Sequence, residues 1–270
     1  MSILYGNDIR NYMHIKVLAI GNSFSVDAVE YLYKIAKNCG IQTVIIGNLA
    51  IDGATLEGHY HNLENNLPNY NFYYNKSDYW ELIPNVTMKA GLLKEQWDMI
   101  TLQQVSGYSG IPGTYEPFLQ NLINYIKRHK TRPDTKIGWH LTWAYQQTSN
   151  HHHFNNYQNN QMTMYKAIVN AVKTKVVSTP DINIIIPAGT TIQNLRTSYL
   201  GDTLTRDGYH LSLDKGRYAA GLTWFKTITD ANIAGIDYKP LGVSAADLSI
   251  IKAAVNNAYL NPYRITPFNE

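Results

Sequence analysis

Ile15-Lys16-Val17-Leu18-Ala19-Ile20-Gly21-Asn22-Ser23-Phe24-Ser25 runs from an apolar, partly β-branched segment through a glycine into a serine. An apolar run of this length that ends in glycine has the character of a buried parallel strand. Apolar residues then recur at three- and four-residue spacing over 28–36, which predicts a helix directly after the turn. Ligands of open α/β sheets bind outside the carboxyl ends of their strands, so Ser23 is expected on the ligand-facing rim.

Working outward, similar apolar runs recur at 42–46, 99–102, 137–141 and 182–186. Helical patterns fall near 26–38, 54–67, 115–129, 156–177, 214–229 and 244–259. This alternation predicts a single α/β domain over 1–270, a flavodoxin-like three-layer α/β/α sandwich. Its five-stranded parallel sheet is expected in the order 2-1-3-4-5, with the switch point beside the first strand. Residues 1–14 read as an N-terminal extension and 244–270 as a C-terminal helix and tail. One segment, 70–83, breaks the pattern: Phe72, Tyr74, Tyr79 and Trp80 flank the turn-like Asn75-Lys76-Ser77-Asp78. It predicts a small inserted β-hairpin that either roofs the site or packs on the surface, surface packing being the simpler expectation.

The formal charge is +3, and the 23 basic residues are scattered without runs, so neither a nucleic-acid groove nor a polybasic membrane patch is indicated. The single cysteine, Cys39, excludes an internal disulfide framework and reads as a buried, inert thiol. No stretch approaches the roughly 20 apolar residues of a membrane-spanning helix. The first fourteen residues include Asp8 and Arg10 and lack the apolar centre of a signal peptide. The sequence as given therefore predicts a cytoplasmic location by default, and export only if a leader has been removed.

A serine hydroxyl is a weak nucleophile until a base takes its proton. Asp207-Gly208-Tyr209-His210 supplies a candidate, because one short loop with a glycine at its bend holds an imidazole beside a carboxylate. That pairing is the orienting half of a catalytic triad, although Asp and His three residues apart also occur as simple helix caps.

Together, Gly21-Asn22-Ser23-Phe24-Ser25, Gly53 in Asp52-Gly53-Ala54-Thr55, Leu102-Gln103-Gln104-Val105, Trp143-Ala144-Tyr145, Thr191-Ile192-Gln193-Asn194-Leu195-Arg196 and Asp207-Gly208-Tyr209-His210 resemble the blocks of the SGNH, or GDSL-like, hydrolases, in the same order. Within that superfamily the chain is similar to a Bacteroidetes-rich branch of the domain-of-unknown-function type (DUF4886-like). The resemblance implies a serine esterase acting through an acyl-enzyme: Ser23 as nucleophile, His210 as general base and then acid, and Asp207 fixing the imidazole tautomer. It implies an oxyanion hole made by the N–H groups of Ser23 and Gly53. The family's third donor, an asparagine, is missing; Gln103 or Gln104 stands in its place, and either carboxamide offers the same N–H. Asn22, where the family usually has aspartate, offers a donor and an acceptor beside the serine. Family habit further implies a small acyl group, most plausibly acetyl, on a carbohydrate, and no cofactor.

Trp143, just past the fourth strand, is expected either to wall the pocket or to sit in the core. Gln193 and Arg196, after the fifth strand, are placed to bind substrate oxygens, with a helix-surface salt bridge as the ordinary alternative for Arg196. His151-His152-His153 suggests a metal, but three consecutive side chains do not readily converge on one ion, and the polar neighbours read as a solvated loop near the active-site mouth. His140 lies in a strand-like run and reads as a hydrogen-bonded core or pocket residue. Two other functions stay open: a catalytically weak or inactive carbohydrate-binding or structural module that kept the fold, and a lipase or thioesterase, the latter weakened by the lack of an evident apolar lid.

Overall fold

The structure, a computed structural model, describes residues 14–268. Apart from His14, the N-terminal extension lies outside the described residues. The central strand β1 (His14–Gly21) pairs in parallel with β2 (Thr43–Ala50) on one side and with β5 (Met99–Leu102) on the other. Val17, Leu18, Ala19 and Ile20 are all essentially inaccessible. The strand is covered on both faces, which is why its sequence is continuously apolar rather than alternating.

The connection from β1 to β2 carries α1 (Ser23–Val29) and α2 (Leu32–Asn38). α3 (Leu56–Glu64) follows β2, and the hairpin β3 (Tyr70–Asn75) and β4 (Glu81–Val86) leads to α4 (Met88–Leu93) and β5. α5 (Phe118–His129) joins β5 to β6 (Lys136–His140), and α6 (Gln161–Ala171) joins β6 to β7 (Ile182–Ile186). α7 (Ala188–Leu195), α8 (Lys215–Thr229) and α9 (Ala245–Leu260) complete the chain. The sheet order is β4-β3-β2-β1-β5-β6-β7, so the five parallel strands stand in the expected 2-1-3-4-5 arrangement. From β1 the chain runs outward through β2, β3 and β4 on one side and then crosses to β5 on the other side of β1, so the carboxyl end of β1 lies at the switch point, where a crevice opens.

The hairpin differs from expectation. β3 pairs antiparallel with β2, Tyr73 opposite Asn48, and among the described residues the sheet has seven strands instead of five. An unpaired β2 edge would present free backbone donors and acceptors, and the hairpin covers it. The new edge, β4, is interrupted by Pro84 and by Asn85 at φ 58°, both of which discourage further pairing. The helix expected over 26–38 is two, broken where Tyr31 takes φ −95° and ψ −4°. The one expected over 156–177 begins late, because Gln158 and Asn159 both adopt positive φ, and it ends in a π-helical turn, Val172–Val176. α4 and α7 are short and were hidden in segments without a long apolar period. Among the described residues no helix is long and apolar enough to cross a membrane.

Candidate active site

Ser23 opens α1. Asn22 caps that helix in an extended conformation (φ −143°), its side-chain oxygen accepting from the Phe24 N–H at 3.0 Å. The Ser25 hydroxyl lies within hydrogen-bond distance of the Asn22 carbonyl (2.7 Å) and of Asn48 Oδ1 on β2 (2.8 Å), pinning the turn to the sheet. Ser23 Oγ lies 2.8 Å from His210 Nε2, across 187 residues of sequence.

The loop bearing His210 is organised by one carboxylate. Asp207 Oδ1 accepts from the backbone N–H groups of His210 (2.7 Å) and Tyr209 (3.1 Å), and Oδ2 lies 2.6 Å from His210 Nδ1. Gly208 permits this tight bend at φ +92°, a left-handed conformation that side chains resist. Burial pushes the Asp207 carboxyl up, but the ring and backbone N–H bonds outweigh it and hold the group below the usual carboxylate range. An ionised Asp207 draws the proton to Nδ1, leaving Nε2 as the acceptor facing the Ser23 hydroxyl.

A second carboxylate, Asp27, went unremarked in the sequence. It is fully buried one turn along α1 from Ser23. Arg206 Nη1 donates to both its oxygens at 3.0 Å, Arg217 Nε to Oδ1 at 2.8 Å and the Leu211 N–H to Oδ2 at 2.8 Å. These contacts tie the helix that carries Ser23 to the loop that carries Asp207 and His210. The available signal was an acid on an otherwise apolar helix face, with an arginine immediately before Asp207. Nothing in the spacing says that the two meet.

Ser23, His210, Gly53 and Asn22 line one pocket of about 500 Å³ at the carboxyl end of β1. Gly53 sits at φ +66°. Among the described residues neither its N–H nor that of Ser23 has a hydrogen-bond partner, so both are free to serve a ligand oxygen.

Residues 16–258 match the family described as a domain of unknown function, DUF4886. The chain belongs to the DUF4886 family. A DUF4886 family protein from Bacteroides uniformis ATCC 8492 is 44% identical, with a TM-score of 0.91 over 94% of this chain and 98% of that one. A protein from Slackia heliotrinireducens assigned to the SGNH hydrolases superposes with a TM-score of 0.50 at 19% identity, covering 81% of this chain and 100% of that one. Likeness at that identity establishes a shared SGNH hydrolase fold. No curated protein matches the sequence.

In this DUF4886 chain several expected ligand contacts lie away from the pocket. Gln103 is buried behind the turn, its Nε2 donating to Asn22 Oδ1 (2.9 Å) and its Oε1 lying 3.0 Å from His140 Nδ1. Gln104 gives its N–H groups to Thr114 O (3.0 Å) and Thr114 Oγ1 (3.1 Å), and its oxygen accepts from Leu56 and Val105. Both glutamines therefore brace the loops after β5, and neither lines the pocket. Asn22 lies at the pocket; its Oδ1 accepts from Phe24 and Gln103, and its Nδ2 gives one of its two N–H groups to Ala54 O at 3.2 Å.

Trp143 is inaccessible and cannot stack on a ligand. Its ring stacks on Phe24 at 4.3 Å and its Nε1 donates to Tyr209 O at 2.7 Å, so it supports both sides of the site from below. Gln193 and Arg196 are likewise not ligand contacts. Arg196 Nη1 donates to Gln193 Oε1, Nη2 to Ala144 O, and Nε lies 2.8 Å from Asp202 Oδ1, an internal ion pair that holds the loop after β6. Burial pulls the Arg196 guanidinium down to about 10, against the opposing pull of Asp202. His151, His152 and His153 line the same pocket as Ser23. Among the described residues no group of three or more His, Cys, Asp or Glu is placed to hold a metal ion.

Proposed function

We propose that this protein is a serine esterase that removes small acyl groups, most plausibly acetyl, from a carbohydrate. The observation that carries the reading is the continuous run of short contacts from Asp207 Oδ2 through the His210 ring to Ser23 Oγ, 2.6 Å and 2.8 Å, opening on a pocket. Ser23 Oγ attacks the acyl carbon as its proton passes to His210 Nε2, and Asp207 stabilises the imidazolium that forms. The unpartnered N–H groups of Ser23 and Gly53 receive the developing oxyanion, each such donor typically being worth about 3 kcal/mol of barrier. His210 returns the proton to the departing alcohol oxygen. Water, activated by the same imidazole, then hydrolyses the acyl-enzyme.

The SGNH hydrolase fold is compatible with esterase chemistry. The test is p-nitrophenyl acetate hydrolysis by wild type and by Ser23→Ala. The variant is expected to lose activity by on the order of 10⁶-fold with an unchanged circular dichroism spectrum. Equal rates in the two proteins would end the assignment.

A further inference from the structure

Resting on the esterase reading, we infer that His151, His152 and His153 form the subsite for the alcohol part of the ester, and that this alcohol is an uncharged polyol. The three histidines line the same pocket as Ser23 and His210, with His151 4.7 Å from the Tyr209 ring, which lies 4.3 Å from the His210 ring, and Asp52 is also part of the lining.

The histidine wall is built, not draped. His151 packs between Tyr145 (4.8 Å) and Tyr209 (4.7 Å, nearly edge-on), and its Nδ1 accepts from the His153 N–H at 3.2 Å. With Nδ1 an acceptor, Nε2 carries the ring proton and is a donor. His153 lies against Tyr108 at 4.9 Å and fills the space over Gly107, where a Cβ would come within 2.2 Å of its Nδ1. The Gly107 carbonyl accepts from Asn156 Nδ2 (3.2 Å) and Tyr157 OH (3.0 Å), so the loop after β5 and the loop after β6 are locked together beneath the wall. His152 is the exposed member, its ring 3.9 Å from His153 and 4.7 Å from His151.

The chemistry of the lining selects the ligand. Burial first, and the neighbouring imidazoles second, hold His151 and His153 below the ordinary histidine range, so near neutral pH they act as neutral donor–acceptor groups. Among the described residues no lysine or arginine lines the pocket, whereas the carboxyl group of Asp52 does. An anionic alcohol would meet a carboxylate with no counter-ion, and a lipid would leave imidazole nitrogens unpaired. A polyol hydroxyl both donates and accepts, which matches a neutral imidazole, and Asp52 accepts from hydroxyl pairs. Ring faces of Tyr209 and the histidines complement the apolar C–H face of a sugar.

The test compares two acetate esters that differ only in their alcohol, an acetylated methyl glucoside and p-nitrophenyl acetate, in wild type, His152→Phe and His151→Phe/His152→Phe. Phenylalanine keeps the ring packing and removes the nitrogens. The variants are expected to raise KM for the sugar ester about tenfold with a much smaller change in kcat, and to shift the ratio of the two kcat/KM values about tenfold toward the nitrophenyl ester. His152→Gln should recover most of that selectivity. Equal losses on both esters, or wild-type preference for an acetylated glucuronide, would overturn the inference. Binding of the intact acetylated glucoside to Ser23→Ala protein, read by calorimetry with and without the histidine substitutions, separates the two proposals. Loss of affinity with the histidines supports the wall even if turnover proves independent of Ser23, whereas unchanged affinity refutes the wall even if Ser23 is essential.

Discussion

Two aspartates hold the same loop by different means, and substitution separates their roles. Asp207 lies on the surface side of the loop, where the strength of its bonds to His210 comes from charge rather than burial. Asp207→Asn should leave stability within about 1 kcal/mol of wild type, yet lower kcat by on the order of 10⁴-fold, because an amide no longer selects the tautomer that presents Nε2 to Ser23. Asp27 is inaccessible and faces Arg206 and Arg217, with Glu30 a more distant 3.7 Å from Arg217. Asp27→Asn removes the charge and leaves two guanidinium groups without their main partner, a loss of about 3 kcal/mol. Activity should fall as well, since a misplacement of about 1 Å in the His210 loop costs on the order of 100-fold. Urea unfolding of the two variants beside their p-nitrophenyl acetate kinetics checks both, and an Asp27→Asn protein with the wild-type midpoint would remove the clamp from the account.

At the scale of elements, the turns after β1, β2 and β5 and the loop after β6 all reach the pocket, and the turn after β2 is the most sensitive. Gly53 has open space where a Cβ would go, so Gly53→Ala meets no clash, only the strain of φ +66°. The expected cost is about 1 kcal/mol of stability, with a larger effect on kcat as the backbone relaxes and swings its N–H off the oxyanion position. Thermal unfolding and steady-state kinetics on one preparation measure both, and a fall in kcat of less than about threefold would argue against Gly53 as a donor. The strands and their order were legible because parallel strands buried on both faces leave unbroken apolar runs such as 15–20. The Ser23 turn and the Asp207-Gly208-Tyr209-His210 loop were legible because local spacing alone defines them. The contacts of Gln103, Trp143, Gln193 and Arg196 were not, because a polar or aromatic residue near a strand end can turn toward the ligand or away from it, and the direction depends on distant partners such as Asp202, Gln161 and Tyr209. The hairpin was recognised as a hairpin but not as a sheet extension, since the free edge of β2 has no signature in the sequence.

For the molecule as a whole, acid stability follows from two histidines far from any ligand role. His59 is sealed against Tyr70, its Nδ1 2.9 Å from the phenol oxygen, and burial lowers it to about 4. His140 is held by Gln103 beneath Trp224, its Nε2 without a partner among the described residues, and burial lowers it to about 3. Above pH 6.5 both are neutral in the folded and unfolded chains and contribute no slope. As pH falls below 6.5 the unfolded chain takes up protons that the folded one excludes, so stability declines, and it keeps declining until the folded pKa values are reached. Each histidine contributes up to about 1.4 kcal/mol per pH unit across that window. His151 and His153, also lowered, act in the same direction, while Glu30, which burial holds above its usual range, opposes them. Depressed carboxylates such as Asp207 and Asp247 lose their contribution only at lower pH, as they protonate. Stability from urea unfolding should therefore fall steeply between pH 6 and pH 4.5, before the carboxylates titrate. His59→Gln lowers stability at neutral pH by breaking the ring packing on Tyr70, but its diagnostic effect is on slope, which should flatten by about 1.4 kcal/mol per pH unit. A parallel pH profile for wild type and His59→Gln would mean that the buried imidazole is not what makes the fold acid-labile.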